Sequence, residues 1–392
     1  PFLNALYSSD LGDHPYCIRA SFGNSRANPM ALALYKSRSF VSGCQEYFQY
    51  FNCSEFPDSC TPFPNNNFSV DYPFFNISGY EISLEMSAGE YGTGKKITAY
   101  YAQNCSNNTF GTSSLFGAIG LGIDDYNYLN FNSPDKLFSI FLSTDGTDGE
   151  LIFGEDTYKE IDNTQLFLYN VTSNWEIALN KISTPKTMYN LENAFAILDV
   201  SSPFIGLPSA IYDGILTELR EKYGMSCKND TYLPTCKYTG LLNTLSVITL
   251  EVTVTGDNIP MPPDVYLQHL GSSTYQLLLA SLSSNSTKPY EMKLTDSYKN
   301  YVVLGAPFLQ YYYSIYNYTD PAKPFIVLYR SNQSFFNSIR NVTIAIVFFG
   351  LLLLLCIYIG YRYTIQRSKR KEMNKVEPLN YVEYRSPEVG AE

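Results

Sequence analysis

From Val342 to Tyr361 the chain runs VTIAIVFFGLLLLLCIYIGY without a single charge, and that stretch divides the molecule. At about 1.5 Å per residue, a helix of this length crosses a hydrocarbon core about 30 Å thick. A buried soluble helix of the same composition would need a second apolar surface to wrap it, and the polar flanks Arg340 and Arg362 supply none. The stretch is therefore read as one transmembrane helix, 342–361. Bases cluster after it at Arg362, Arg367, Lys369, Arg370 and Lys371, whereas Arg340 is the only base close by on the other side. The positive-inside rule then places the tail, 362–392, in the cytosol and the large N-terminal part outside or in a lumen. The expectation is a single-pass type I membrane protein of the cell surface or an endomembrane.

Asn-x-Ser/Thr sites at Asn52, Asn67, Asn76, Asn104, Asn107, Asn170, Asn229, Asn285, Asn317 and Asn332 all fall on that outer side. Each alone is a weak sign in an Asn-rich chain, and Asn341, which abuts the span, is expected to stay unmodified. The start at Pro1, without Met or an apolar leader, fits a mature chain after signal-peptide removal. Of the eight cysteines, Cys17, Cys44, Cys53, Cys60, Cys105, Cys227 and Cys236 lie outside, where disulfides persist, and Cys356 lies in the span. Seven is odd, so one thiol is free or bridges to a partner.

The outer part reads as sheet. The whole chain of 392 residues is 45% hydrophobic and 16% charged, with 35 Tyr and 25 Phe, side chains that suit strands better than helix interiors. A formal net charge of −10 works against a phosphate-binding surface, so nucleic acid is not expected as a partner. Short apolar runs are punctuated by Gly, Pro, Asn and Asp, with alternation clear in KLFSIFLS, GELIFGE and TLEVTVTG. One helix is expected, PSAIYDGILTELREKY from Pro208 to Tyr223, where apolar residues recur at helical spacing after a start signal.

Five segments follow in order: LFGAIGLG, KLFSIFLSTDGTDGELIFGE, NWEIALNKI, FAILDVSSPFIGLPSAIYDGI and VVLGAPFLQYYYSIYN. Their succession closely resembles the pepsin-like aspartic proteases, from the middle of the N-terminal lobe to the end of the C-terminal lobe, across roughly Tyr16 to Tyr329. The resemblance implies an all-β, bilobal fold: an N-terminal lobe over 1–165 and a C-terminal lobe over 166–335, ahead of the transmembrane helix. It also implies a bridge between Cys227 and Cys236, where the family commonly has a disulfide. Cys44 with Cys53 or Cys60 would staple the first N-lobe loop, and Cys17 and Cys105 are candidates for a further bridge; spacing does not decide the connectivity.

An aspartic protease needs two carboxylates close enough to share one proton and hold a water between them. The resemblance puts Asp199 of ILDVSSPFIGLP at the second catalytic position. At the first, in MALALYKSRSF, it puts Tyr35, whose phenol with a pKa near 10 cannot share a proton in this way. The family's supporting Thr or Ser and Gly are replaced by Lys36 and Ser37 in one lobe and by Val200 and Ser201 in the other. The Tyr35 hydroxyl or the Lys36 ammonium is expected to contact Asp199 as an inert tie between lobes. The flap tyrosine corresponds to Met86 or Tyr91, left open. The stretch from Cys44 to Phe75 is expected near the N-lobe rim, where glycans would hinder protein substrates.

Other chemistries find little footing. His14 and His269 lack paired ligand spacing, no glycine-rich phosphate loop opens a helix, and neither metal nor cofactor is expected. The reading is a pseudoprotease: a non-catalytic ectodomain on a single-span anchor, binding a peptide in its cleft or membrane-protein partners, with an oligomer or hetero-complex as a further possibility. The alternative is a divergent membrane-anchored endopeptidase that uses Asp199 with an unidentified second acid. QRSKRKEMNK can sit against anionic lipid, and the end of the tail, with Tyr381 and Tyr384, reads as solvated and disordered.

Overall fold

The computed structural model describes residues 2–8, 16–22, 28–34, 36, 38–44, 51–88, 95–106, 117–123, 136–143, 148–154, 166–171, 174–228, 233–253, 255–285, 291–320, 322–330 and 357–365. The chain divides into two compact units, Pro1–Ser331 and Asn332–Glu392. In the second unit, residues 357–365 are helical, with Ile357, Tyr358, Ile359 and Tyr361 exposed. Residues 342–356 of the expected span lie outside the described residues, and among the described residues no helix is long and apolar enough to cross a membrane.

The first unit is mostly strand. Its N-terminal half carries β1 (Phe2–Ser8), β2 (Tyr16–Phe22), β3 (Asn28–Ala33), β4 (Phe40–Ser42), β5 (Cys60–Asp71), β6 (Asn76–Ala88), β7 (Lys95–Ser106), β8 (Gly117–Gly120), β9 (Leu137–Leu142), β10 (Asp148–Phe153) and β11 (Leu166–Asn170). The C-terminal half opens with β12 (Glu176–Ser183), β13 (Met188–Leu198), β14 (Ile205–Pro208), helix α1 (Ser209–Tyr223), β15 (Ser226–Lys228), β16 (Thr235–Lys237), β17 (Ile248–Val252) and β18 (Asn258–Met261). It continues with a short helix α2 (Pro263–Tyr266), β19 (Leu267–Gly271), β20 (Thr274–Leu277), β21 (Leu279–Ser283), β22 (Glu291–Lys293), β23 (Tyr301–Leu304), helix α3 (Ala306–Tyr311), β24 (Tyr312–Asn317) and β25 (Phe325–Arg330).

These strands form a 13-stranded sheet in the order β11-β25-β24-β9-β10-β1-β2-β3-β8-β4-β7-β6-β5, an eight-stranded sheet β18-β17-β12-β13-β23-β14-β21-β22 and a four-stranded sheet β15-β16-β20-β19. The first sheet joins the two halves, because β24 and β25 from the end of the unit pair with β9 and β11 from its middle. Alternation behaves as expected in β17, where Ile248, Leu250 and Val252 are buried and Thr249 and Glu251 are partly exposed. It fails in β9, where Leu137, Phe138, Ser139 and Ile140 are all buried. That strand lies between β10 and β24 in the shared sheet, and its two faces serve different clusters, Phe138 and Ile140 in the main core and Leu137 in a smaller one.

Helix α1 forms where its periodicity placed it. Ile211, Tyr212, Ile215 and Leu219 are buried, and Gly224 closes the helix in the left-handed region (φ 70°), its N–H donating to the Arg220 and Leu219 carbonyls. Glu218 is buried on the same helix, accepting from Thr184 Oγ1 and Ser246 Oγ at 2.5 Å each. Those two hydroxyls come from the turn after β12 and from the approach to β17, so the carboxylate fastens the helix to its sheet.

The disulfides correct two expectations, a bridge from Cys44 to Cys53 or Cys60 and one between Cys17 and Cys105. Cys227 and Cys236 are bridged, facing each other across β15 and β16. Cys44 pairs with Cys105, however, and not with Cys53 or Cys60, which bridge each other. The reason is topological: β4 runs parallel to β7, Ser42 opposite Ala102, so the chain just past the end of β4 brings Cys44 beside Cys105 near the end of the longer β7. Cys17 lies in β2, and its side chain is outside the described residues.

Candidate functional site

The site lies where each half of the unit crosses over itself. In the C-terminal half β13 runs parallel to β23, which runs antiparallel to β14, which runs parallel to β21. In the N-terminal half β3, β8, β4 and β7 repeat that pattern. Each crossing needs backbones in close approach, and glycine permits it: a Cβ on Gly305 would lie 2.1 Å from the Phe204 carbonyl, and one on Gly117 2.1 Å from that of Phe40. The sequence carries these glycines in its two apolar segments, LFGAIGLG and VVLGAPF.

Asp199 leaves the end of β13 and is 2% exposed. Its backbone N–H donates to the Leu304 carbonyl at 3.0 Å, which seats it on the neighbouring strand. Oδ1 accepts from the Ser201 N–H at 3.1 Å and the Ser201 hydroxyl at 2.7 Å, and Oδ2 accepts from the Ser202 hydroxyl at 2.6 Å. A carboxylate so buried requires such donors. The replacement at Ser201 thus keeps the backbone donor and adds a hydroxyl, and Ser202, which sequence reasoning missed, supplies another; the DVSS run was its signal. Val200 is fully buried in the main core.

The counterpart of Asp199 in the other crossing is set by register. Leu198 pairs with Leu304, and Gly305 follows; Leu32 pairs with Ile119, and Gly120 follows. One residue beyond Leu198 is Asp199, and one beyond Leu32 is Ala33. A second match agrees, since Ser202 N–H donates to the Asp199 carbonyl at 3.2 Å and Lys36 N–H to the Ala33 carbonyl at 3.4 Å. Ala33, 2% exposed, therefore holds the matching position, two residues ahead of the expected Tyr35. The apolar run MALALY gives no mark of where the strand ends, and only the pairing with β8 supplies it. Tyr35 and Ser37 lie outside the described residues, and from Asn28 to Cys44 the sequence has no Asp or Glu at all.

Lys36 matches Ser202 in this register. The expectation that its ammonium reaches Asp199 gives way to a different setting: Nζ lies over the rings of Tyr298 (5.5 Å) and Tyr72 (5.8 Å). Its acidic neighbours are Asp71 and Glu176. Burial pulls the Lys36 pKa below its ordinary value, partly offset by those two carboxylates. Burial likewise raises Glu176, against hydrogen bonds from the Tyr301 hydroxyl (3.2 Å) and Asn174 Nδ2 (3.4 Å) and the charge of Lys36. The neighbours come from both halves. The turn between β5 and β6 docks there, with Thr295 N–H donating to the Pro73 carbonyl (2.9 Å), Thr295 Oγ1 to the Tyr72 carbonyl (2.8 Å), Ser297 Oγ to Asp71 and the Phe74 ring edge-on to Phe204 (5.8 Å). Nothing in sequence spacing linked these residues; Asp71 and Ser297, for one pair, lie 226 positions apart.

Met86 is fully buried inside β6, opposite Lys95, so it is a core residue and not a hairpin tip. Tyr91 lies outside the described residues. Of the expected glycan acceptors, Asn67, Asn104, Asn170 and Asn285 are exposed and Asn52 is half-buried. Asn76 is also half-buried, with its Oδ1 inaccessible. Asn107, Asn229 and Asn332 lie outside the described residues. Among the described residues no three His, Cys, Asp or Glu side chains converge as metal ligands would.

The family profile described as eukaryotic aspartyl protease matches residues 58–323, a span that begins after Tyr35. Vacuolar protease A of Neurospora crassa is 23% identical over 334 residues, covering 81% of this chain and 77% of that protein. Vacuolar protease A of Aspergillus fumigatus is 23% identical over 351 residues with the same coverage. Among solved structures, the aspartic proteinase from Irpex lacteus superposes with a TM-score of 0.59 at 15% identity, covering 84% of this chain and 98% of that one. With a bilobal β fold, two matching crossings and a family match across more than half its length, the chain belongs to the eukaryotic aspartyl protease family.

Proposed function

We propose that this chain is a non-catalytic member of its family, a pepsin-like glycoprotein ectodomain on a single-span anchor that binds peptides or membrane-protein partners. The observation that carries the reading is the asymmetry of the two crossings: Asp199 keeps three donors, while the matching stretch from Asn28 to Cys44 holds no acid. Peptide hydrolysis by this fold requires one carboxylate to take a proton from water while its partner gives one to the scissile carbonyl. Ala33 can do neither, and the phenol of Tyr35 is a poor substitute at acid or neutral pH. The two lobes and their junction remain as a scaffold for binding. The uncharged stretch 342–361 supports the anchor, and the likeness to vacuolar proteases supports a lumenal or secretory setting.

The test is peptidase activity of the detergent-solubilised full chain on a mixed peptide library from acid to neutral pH, beside Asp199→Asn and Ala33→Asp. The wild type is expected to leave every peptide intact. Cleavage by the wild type that disappears in Asp199→Asn would sink the reading in favour of an endopeptidase with another second acid.

A further inference from the structure

The 13-stranded sheet ends at β5 on one side and at β11 on the other, and neither end strand has an outer strand partner among the described residues. Such edges offer a row of backbone donors and acceptors to any other extended chain, and folded proteins block them. β5 is the more vulnerable, at 12 residues with Thr61 to Asn67 all exposed. Three features already disfavour strand addition there. Pro62 and Pro64 lack an N–H, and the register jumps between Phe63, opposite Glu81, and Asn67, opposite Tyr80. Beyond the jump, however, the ladder resumes from Asn67 to Asp71 without a proline or a charge until Asp71.

That resumed segment opens on Asn67-Phe68-Ser69. The Phe68 ring stacks on Tyr100 of β7 at 4.0 Å, across Gly79 of the intervening strand. Because successive side chains point to opposite faces, Asn67 and Ser69 then project together from the other face, and both are exposed. At the opposite edge β11 ends on an exposed Asn170, followed by Val171 and Thr172. Asn104 serves as a contrast because its strand, β7, stands between β4 and β6 and not at an end of the sheet.

We propose that N-linked glycans on Asn67 and Asn170 close the two ends of this sheet against strand addition by a second copy of the chain. The inference rests on the lumenal placement of this unit. In the modification a C–N bond forms between Asn67 Nδ2 and the anomeric carbon of a lipid-diphosphate oligosaccharide. The anomeric C–O bond breaks, the diphosphate leaves with its electron pair, and the amide gives up one proton. A branched, hydrated glycan beside the ladder excludes a neighbouring strand, as an edge lysine does elsewhere.

The test compares the full chain from glycosylating cells, in mild detergent, with Asn67→Gln, Ser69→Ala, Asn67→Lys, Asn170→Gln and Asn104→Gln. Glycopeptide mass spectrometry gives occupancy and light scattering on a sizing column gives mass. Expected are occupied Asn67 and Asn170 and a shift to dimers or larger species in Asn67→Gln, Ser69→Ala and Asn170→Gln. Asn67→Lys, which lacks the glycan but charges the edge, and Asn104→Gln should keep the wild-type number of copies per particle once the lost glycan mass is subtracted. Occupancy elsewhere with Asn67 and Asn170 bare, or edge variants with an unchanged number of copies per particle, overturns the proposal alone. A chain bare at every acceptor overturns the lumenal placement with it.

Discussion

The two crossings of this protein share a backbone and differ in what it carries. β13, β23, β14 and β21 repeat the pairing of β3, β8, β4 and β7, down to a glycine beside the paired apolar residues. At the matched positions one crossing holds Asp199 and Ser202, the other Ala33 and Lys36. Burial of apolar strands and close approach at glycine are sufficient for the crossing, and the acid adds chemistry without being needed for the fold. The halves are also braced differently. Two covalent bridges, Cys44 to Cys105 over 61 residues and Cys53 to Cys60, tie the first, while the second has one short bridge, Cys227 to Cys236, and a buried Glu218 that fastens α1.

Replacing Cys44 and Cys105 with serine should disturb that difference most. The bridge spans 61 residues, and its loss should cost about 2–5 kcal/mol in denaturant unfolding, more than loss of the Cys227–Cys236 bridge, which spans 9. Next, Glu218→Ala should destabilise by about 1–3 kcal/mol, since it orphans the Thr184 and Ser246 hydroxyls; Glu218→Gln should cost less. An equal cost for both variants would show that packing and not hydrogen bonding holds the helix.

A smaller effect should appear at the junction. Burial raises the folded pKa of Glu176 above its unfolded value near 4.5, so the folded state takes up the proton first. Stability should therefore rise as pH falls from neutral through the folded pKa, and level off below the unfolded one. Glu176→Gln should flatten that rise in urea melts taken across the range, and an unaltered profile would show that Glu176 does not set it. The smallest change is expected for Ser202→Ala, about 0.5–1.5 kcal/mol, because Ser201 still gives Asp199 two donors. A loss several times larger would mean that the acid shapes its crossing after all.

Much of this was legible beforehand. Helix α1 announced itself by spacing, the strands by alternation, and the crossing glycines by the order of five segments. The position matching Asp199 was misread by two residues because an apolar run carries no register of its own. Ser202 was visible in DVSS, whereas Asp71, Tyr72, Glu176, Tyr298 and Tyr301 converge on Lys36 only through the docking of one half on the other.

Local pattern determined the long helix α1, many of the strands and the absence of any acid from Asn28 to Cys44, and the order of five segments carried the resemblance to a two-lobed aspartic protease, while the short helices α2 and α3 went unexpected. Those properties depend on residue type and short-range order, which a sequence states directly. Tertiary structure alone decided that Cys44 meets Cys105, that Ala33 and not Tyr35 matches Asp199, and that Lys36 lies over Tyr72 and Tyr298. Each of these depends on strand register or on pairing between distant segments, and those are set by the summed burial of whole faces and not by any residue's own preference.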